Sequence, residues 1–294
     1  MAPSLRLSVD EAAASWALLI RAAADQFKRL AEESPFGTET FRAARLPAFR
    51  PGVSVSEELE YLRSLARPAD VWMDIGAGAG RLAIPLARSI RRMIAVEPSP
   101  TMRVALLEAA AAESGGGALE VHDRRWPDEA DHMPVVDVTL AANLLYSVDE
   151  PLSWVDAMER RSRRLCVVTL ADRPARAPDE DVWLDLMGEP LIRGPGAPDF
   201  VALLLATGRR VDVRTFLAPA PRPIGLDEAV EAQRWRCGLR EESPRLPQLR
   251  DAVRRRADAD GLVRLRAGRG YTAVVTWEPR QARSSAAVAG GSAP

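Results

Sequence analysis

The sequence predicts an α/β fold in which a mostly parallel sheet carries helices on both faces. Three observations lead there. From about residue 67, short apolar runs alternate with helical stretches. Those runs are near-continuously apolar, the pattern of strands buried on both sides. One of them also passes through a glycine turn directly into a helix, an arrangement that exposes backbone N–H groups to a ligand.

Before the sheet, residues 1–66 read as an N-terminal helical cap. Ser8 and Glu11 have capping-box spacing, and Trp16, Ile20, Ala24, Phe27 and Leu30 follow at helical intervals. A looser stretch is broken by Pro35, Gly37, Pro47, Pro51 and Gly52. Ser54 and Glu57 then open a second helix, with Leu59, Leu62 and Leu65 on one face and Pro68 beyond its end.

The expected core spans 67–216 plus 270–279. Its strand candidates are 71–75, 93–96, 119–121, 135–141 and 165–170, followed by 210–216 and 271–277. Ser99 before Pro100 marks a helix start, the triplet 115–117 ends that region, and Asp149 is expected to cap the segment holding Leu152, Val155 and Met158. A variable stretch with Trp183 and Leu186 precedes a helix around 200–205. Residues 217–269 form a helical insertion before the last strand, with helices near 227–239 and 246–257. The low-complexity tail 280–294 is expected to be disordered.

Composition narrows the function. The formal charge is −1, with 40 basic residues against 41 acidic ones, so no global positive field points to nucleic acid. Lys28 is the only lysine, and the arginines are scattered among acids. Cys166 and Cys237 are the only cysteines and have no CxxC partner, so neither zinc ligation nor a disulfide framework is expected, and no metal site is assigned. Acids at Asp10 and Glu11 disqualify the start as a signal peptide, and no apolar stretch reaches the ~18 residues of a membrane span. A cytoplasmic setting is expected.

The most informative segment is VWMDIGAGAGRLAIPLA, residues 71–87. Its spacing is GxGxG, and Arg81 stands where the dinucleotide fingerprint needs a third glycine for tight helix packing. Asp74 lies two residues before Gly76, where a carboxylate would repel a pyrophosphate and attract a cation. The next strand ends in Glu97, placed to accept the hydroxyls of a ribose. A glycine turn with two acids reads as a site for a positively charged nucleoside.

Together with MIAVEPSPTM at 93–102, this segment resembles the first two motifs of the class I S-adenosylmethionine-dependent methyltransferases. LEVHDRRWPDEA, VDVTLAANLLYSVDEP and RLCVVTLADRP resemble the third to fifth strands more weakly, and GYTAVVTWEP the last. The resemblance implies a Rossmann-like seven-stranded sheet, mostly parallel, with the last strand antiparallel. It implies that Asp74 and the backbone of Gly76, Ala77, Gly78 and Gly80 hold the methionine end of S-adenosylmethionine. Glu97 would bind the ribose, with Pro98, Ser99 and Met102 beside the adenine. Asp123 would contact the adenine amino group, flanked by Arg124 and Trp126, and Asn143 would line the cleft near the methyl. The 217–269 insertion departs from the minimal fold.

No catalytic residue is assigned. His122 and His132 are the only histidines; the second sits in an acidic, proline-containing loop. Tyr146 could position an acceptor or simply pack. Phe27, Phe36, Phe41 and Phe49 could form a lid or bind the N-terminal helices to the sheet. Arg160, Arg161, Arg163 and Arg164 could complement a helix dipole or meet RNA. The sequence AANLLY lacks the consecutive prolines of amino-group methyltransferases, and the expected acceptor is a small molecule. The alternatives are an RNA methyltransferase, a non-catalytic S-adenosylmethionine-binding protein and an NAD(P)-dependent oxidoreductase.

Overall fold

The structure is a computed structural model that describes residues 7–33, 51, 56–113, 117–174, 177–218, 220–265 and 270–280. Phe36, Phe41, Phe49, Ser54 and the 281–294 tail lie outside the described residues.

Helix α1 (Val9–Leu30) opens with the expected capping box: Ser8 Oγ accepts from Glu11 N, and the Glu11 carboxylate accepts from Ser8 N. Helix α2 (Ser56–Leu65) follows, ending three residues before Pro68. The chain then runs through β1 (Val71–Ile75), α3 (Ala83–Ala87), β2 (Arg92–Val96), α4 (Pro100–Ala112), β3 (Leu119–His122), β4 (Val136–Ala142), α5 (Pro151–Arg161) and β5 (Ser162–Ala171). Beyond β5 come α6 (Glu180–Met187), α7 (Ala197–Ala206), β6 (Asp212–Leu217), β7 (Ile224–Gly225), α8 (Leu226–Arg236), α9 (Leu246–Arg254), β8 (Leu262–Val263) and β9 (Tyr271–Trp277).

Seven strands form one sheet in the order β3-β2-β1-β4-β5-β9-β6. The first five are parallel, while β9 runs antiparallel to both β5 and β6. This is the sheet expected from the sequence, with its last strand reversed. Both faces are covered. One buries Met73, Ile75, Val168 and Val275 against Trp16 and Ile20 of α1, Val155 of α5 and Phe200 of α7. The other buries Trp72, Met93, Leu140 and Val274 against Leu62 of α2, Leu86 of α3 and Leu106 of α4.

Two helix starts correct the sequence reading. Ser99 does cap α4, accepting from Met102 N at 3.3 Å with Pro100 in the first turn. Asp149 does not cap α5: the cap position is Glu150, which makes no side-chain capping bond. Pro151 decides the start, because its fixed φ suits the first helical position. Helix α6 was not anticipated, although its signals are present: Asp179 accepts from Asp181 N and Val182 N, and Gly188 ends the helix at φ 78°.

Because β6 runs parallel to β5, the 217–269 segment leaves and rejoins the sheet at the edge where the five parallel strands end. There α6, α8 and α9 share an apolar cluster built on Trp183, Leu186, Ala229, Leu249 and Val253, and Phe27 of α1 stacks on Trp183 at 5.8 Å between ring centroids. Buried Gln26 ties α1 to the chain after α6, donating to Glu189 and Pro190 and accepting from Ile192 N. A helical layer from three chain segments therefore stands at the C-terminal edge of the sheet.

Candidate functional site

The strand order reverses between β1 and β4, the crevice where open α/β sheets take ligands. Asp74 reaches this crevice from the penultimate position of β1, in register with Ala95 of β2 and Leu140 of β4. The following turn is tied to β2 by Gly76 N and Ala77 N, which donate to the Val96 carbonyl at 2.7 and 3.2 Å.

The glycines serve different purposes. Gly76 has φ 69°, and a Cβ there would come within 2.5 Å of Leu144 Cδ1 from the chain after β4. Gly78 has φ 57° and open space where a Cβ would stand. The first lets Leu144 pack against the turn; the second leaves a bare backbone facing open space.

Glu97 closes the turn from the end of β2. Its carboxylate accepts from Gly78 N at 2.9 Å and from Ser99 N at 2.8 Å, while its carbonyl accepts from Arg103 at 2.9 Å. One acid thus joins the glycine turn to the start of α4. Ser99 and Met102 sit beside it, with Met102 packed on Ala79 and Ala105; Pro98 is half-buried between Glu97 and Ser99.

Asp74 is 2% exposed. Burial pushes its carboxyl pKa up from 3.8 to about 7, Arg81 opposes the rise, and Glu97 adds to it. A carboxylate so placed gains from a cation that enters the crevice.

Asn143 directly follows β4 and has φ 57°, a left-handed conformation that asparagine tolerates better than most residues. Its Oδ1 accepts from the Tyr146 hydroxyl at 3.2 Å, and that hydroxyl accepts from Ala171 N at 2.6 Å. Tyr146 therefore braces the ends of β4 and β5.

The structure brings together Asp74, Gly76, Ala77, Gly78, Gly80, Glu97, Pro98, Ser99 and Met102, with Asn143 at the neighbouring strand end. The third-strand residues separate. Asp123 is exposed just after β3; Arg124 is exposed and paired with Glu129 at 3.3 Å. Trp126 is buried on the sheet face that carries α1 and α5, among the residues around Ile94, Val96 and Ala130. His122 pairs with Glu120 at 2.7 Å, and His132 is exposed. Arg160 and Arg161 meet Asp131, Arg163 meets Asp137, and Arg164 meets Asp70. Cys166 and Cys237 are buried, which drives both thiols up to about 12 and leaves them un-ionised near neutral pH.

Sequence reasoning missed Arg103, Leu144 and a pair that joins buried Glu58 to partly buried Arg81. Only Glu58 left a sequence signal, sharing the apolar face of α2 with Leu62 and Leu65 at helical spacing, and that signal does not name its partner.

No family model matches the sequence, and no curated protein matches it. Solved structures do. The YcgJ protein of Bacillus subtilis is 14% identical over 77% of this chain and 100% of its own, with a TM-score of 0.52. A methyltransferase candidate from Bacillus halodurans C-125 is 12% identical over 76% of this chain and 98% of its own, with a TM-score of 0.51. A protein from the conversion of a disulfide bond into a thioacetal group in echinomycin biosynthesis is 16% identical over 86% and 97%, with a TM-score of 0.50. The fold is that of the class I methyltransferases.

Proposed function

We propose that this protein is an S-adenosylmethionine-dependent methyltransferase that acts on a small-molecule acceptor. The observation that carries the reading is buried Asp74 beside the open Gly78 turn, with Glu97 clasping that turn at the strand-order reversal. A buried acid invites the ligand's cationic end, the bare backbone admits its chain, and Glu97 lies where ribose hydroxyls would replace or join its bonds to Gly78 N and Ser99 N.

When bound, S-adenosylmethionine supplies an electrophilic methyl carbon, and its transfer leaves S-adenosylhomocysteine. The protein's own contribution is placement. Asp74 and the 76–80 turn hold one end of the cofactor, Glu97, Pro98, Ser99 and Met102 the other, and Asn143 borders the reacting centre. Asp123, Arg124 and Trp126 complete the assignment on the β3 side; exposed Asp123 needs the adenine amino group to draw it in. We assign the cap to 1–66, the core to 67–216 with 270–279 and an insertion to 217–269, with the helical layer at the strand ends screening the acceptor. A cytoplasmic setting accords with two unpaired buried cysteines, and among the described residues no helix is long and apolar enough to cross a membrane. Pairing of all four clustered arginines with acids favours a small acceptor over RNA.

Calorimetric titration with S-adenosylhomocysteine tests the cofactor, and methyl transfer from labelled S-adenosylmethionine to an acceptor panel tests turnover. No heat from folded protein would overturn the reading. Glu97→Ala is expected to weaken S-adenosylhomocysteine binding by about 1–3 kcal/mol, because the ribose loses its acceptor and two N–H groups lose theirs. Unchanged affinity in that variant would remove Glu97 from the site.

A further inference from the structure

The charges beneath the glycine turn are unevenly matched. Glu58, in the first turn of α2, has a side chain only 1% exposed, and among the described residues neither carboxylate oxygen has a hydrogen-bond partner. The cation that meets it is Arg81, whose guanidinium stands 3.8 Å from Glu58 Oε2. Arg81 follows the last glycine of the turn, and its charge also acts on Asp74. One guanidinium therefore contacts one buried acid and acts electrostatically on a second from another element. A buried carboxylate without a hydrogen bond is costly, and a leucine at this place on α2 would extend the apolar face formed with Leu62 and Leu65.

We propose that Glu58 is a positioning residue for the cofactor site: it draws the Arg81 guanidinium toward α2 and so leaves Asp74 to the cation of the ligand. The proposal rests on the cofactor reading above. Among the described residues, the charged groups acting on Asp74 are Arg81 from the turn into α3 and Glu97 just after β2. Its register partners, Ala95 and Leu140, are uncharged, and Arg103 of α4 is engaged by the Glu97 carbonyl. Glu58 acts through Arg81. Without Glu58, Arg81 would neutralise Asp74 more fully, so the carboxylate would ionise at lower pH while attracting an incoming ammonium less.

The test is the pH profile of S-adenosylhomocysteine binding by the wild type, Glu58→Gln and Arg81→Gln. Below its midpoint the wild-type association constant should climb about tenfold per pH unit, then level off. Glu58→Gln should move the midpoint down by about half a unit or more and lower the plateau about threefold or more. Arg81→Gln should move the midpoint the opposite way. A merely structural Glu58 would change stability but leave the midpoint in place. Opposite displacements by the two variants support the proposal. Superimposable profiles for wild type and Glu58→Gln sink it while leaving the cofactor reading intact. If Glu58→Gln does not fold, an Arg81→Gln midpoint equal to that of the wild type sinks it instead. Wild type that binds at no pH overturns the cofactor reading itself.

Discussion

Replacing Asp74 by asparagine is expected to stabilise the ligand-free protein above pH 7 while removing its affinity for S-adenosylmethionine. Asp74 ionises near 7 in the folded chain, against 3.8 ordinarily. A carboxyl with a raised folded pKa contributes stability in full below its unfolded pKa, and that contribution disappears as pH rises through the folded value. The ligand-free wild type therefore loses stability from this residue between about pH 4 and 7, to a total of about 4 kcal/mol. Asparagine has the same shape and no charge to desolvate. Its amide must find partners of its own, which returns about 1–3 kcal/mol of the gain.

Urea denaturation should thus show Asp74→Asn more stable than wild type at pH 8, with the difference closing toward pH 5. Calorimetry should show affinity for the cofactor reduced at least about a hundredfold, equivalent to losing a buried charged partner worth roughly 3 kcal/mol. A variant that binds normally would exclude Asp74 from the cation site. One no more stable than wild type at pH 8 would show that burial does not strain this carboxylate. Both effects come from one cause: the acid is costly while the site is empty and useful once a cation neutralises it.

The division between what sequence reveals and what it hides follows from distance along the chain. The five parallel strands were legible within a few residues because burial on both faces of β1, β2, β4 and β5 leaves apolar runs, while β3, at the sheet edge, keeps only a short one. Boundaries shifted where the pattern breaks: β5 begins three residues before the expected 165, through Ser162, Arg163 and Arg164, and β6, expected at 210–216, spans Asp212–Leu217 with most of its side chains exposed. Around the candidate site, local sequence marks the end of β1 at Asp74, the turn at Gly78 and the chain just after β2 at Glu97, and the fold has them there. Asn143 was also readable, though its left-handed backbone was not. Trp126 shows the limit: its position after the third strand does not reveal that its indole is buried in the cluster holding Ile94, Val96 and Ala130. The Glu58–Arg81 pair lies farther out of reach, since 23 residues separate its members (81 − 58) and only folding of α2 against the turn into α3 brings them together.

The opposite edge of the sheet carries the largest expected stability effect. Arg209, just beyond α7, has a side chain 3% exposed and grips Glu159 of α5 through two bonds, of 2.8 and 3.1 Å. It also donates to Asp156 at 2.7 Å and Thr207 at 2.8 Å, while Trp277 of β9 donates to Glu159 at 2.9 Å. Burial by itself would lower the guanidinium pKa, but the bonds to Glu159 and Asp156 outweigh it and hold it raised. Removing the cation alone strands the Glu159 carboxylate, so Arg209→Met should cost about 3–5 kcal/mol. Adding Glu159→Gln should recover most of that loss, because glutamine carries no charge and can still accept from Trp277. The cluster sits where β9 ends and β5 begins, away from the glycine turn, so cofactor affinity should be the same in every variant that folds. Denaturant midpoints for both single variants and the double measure the coupling. A double variant no better than Arg209→Met would mean that lost packing, rather than an unpaired buried charge, accounts for the damage.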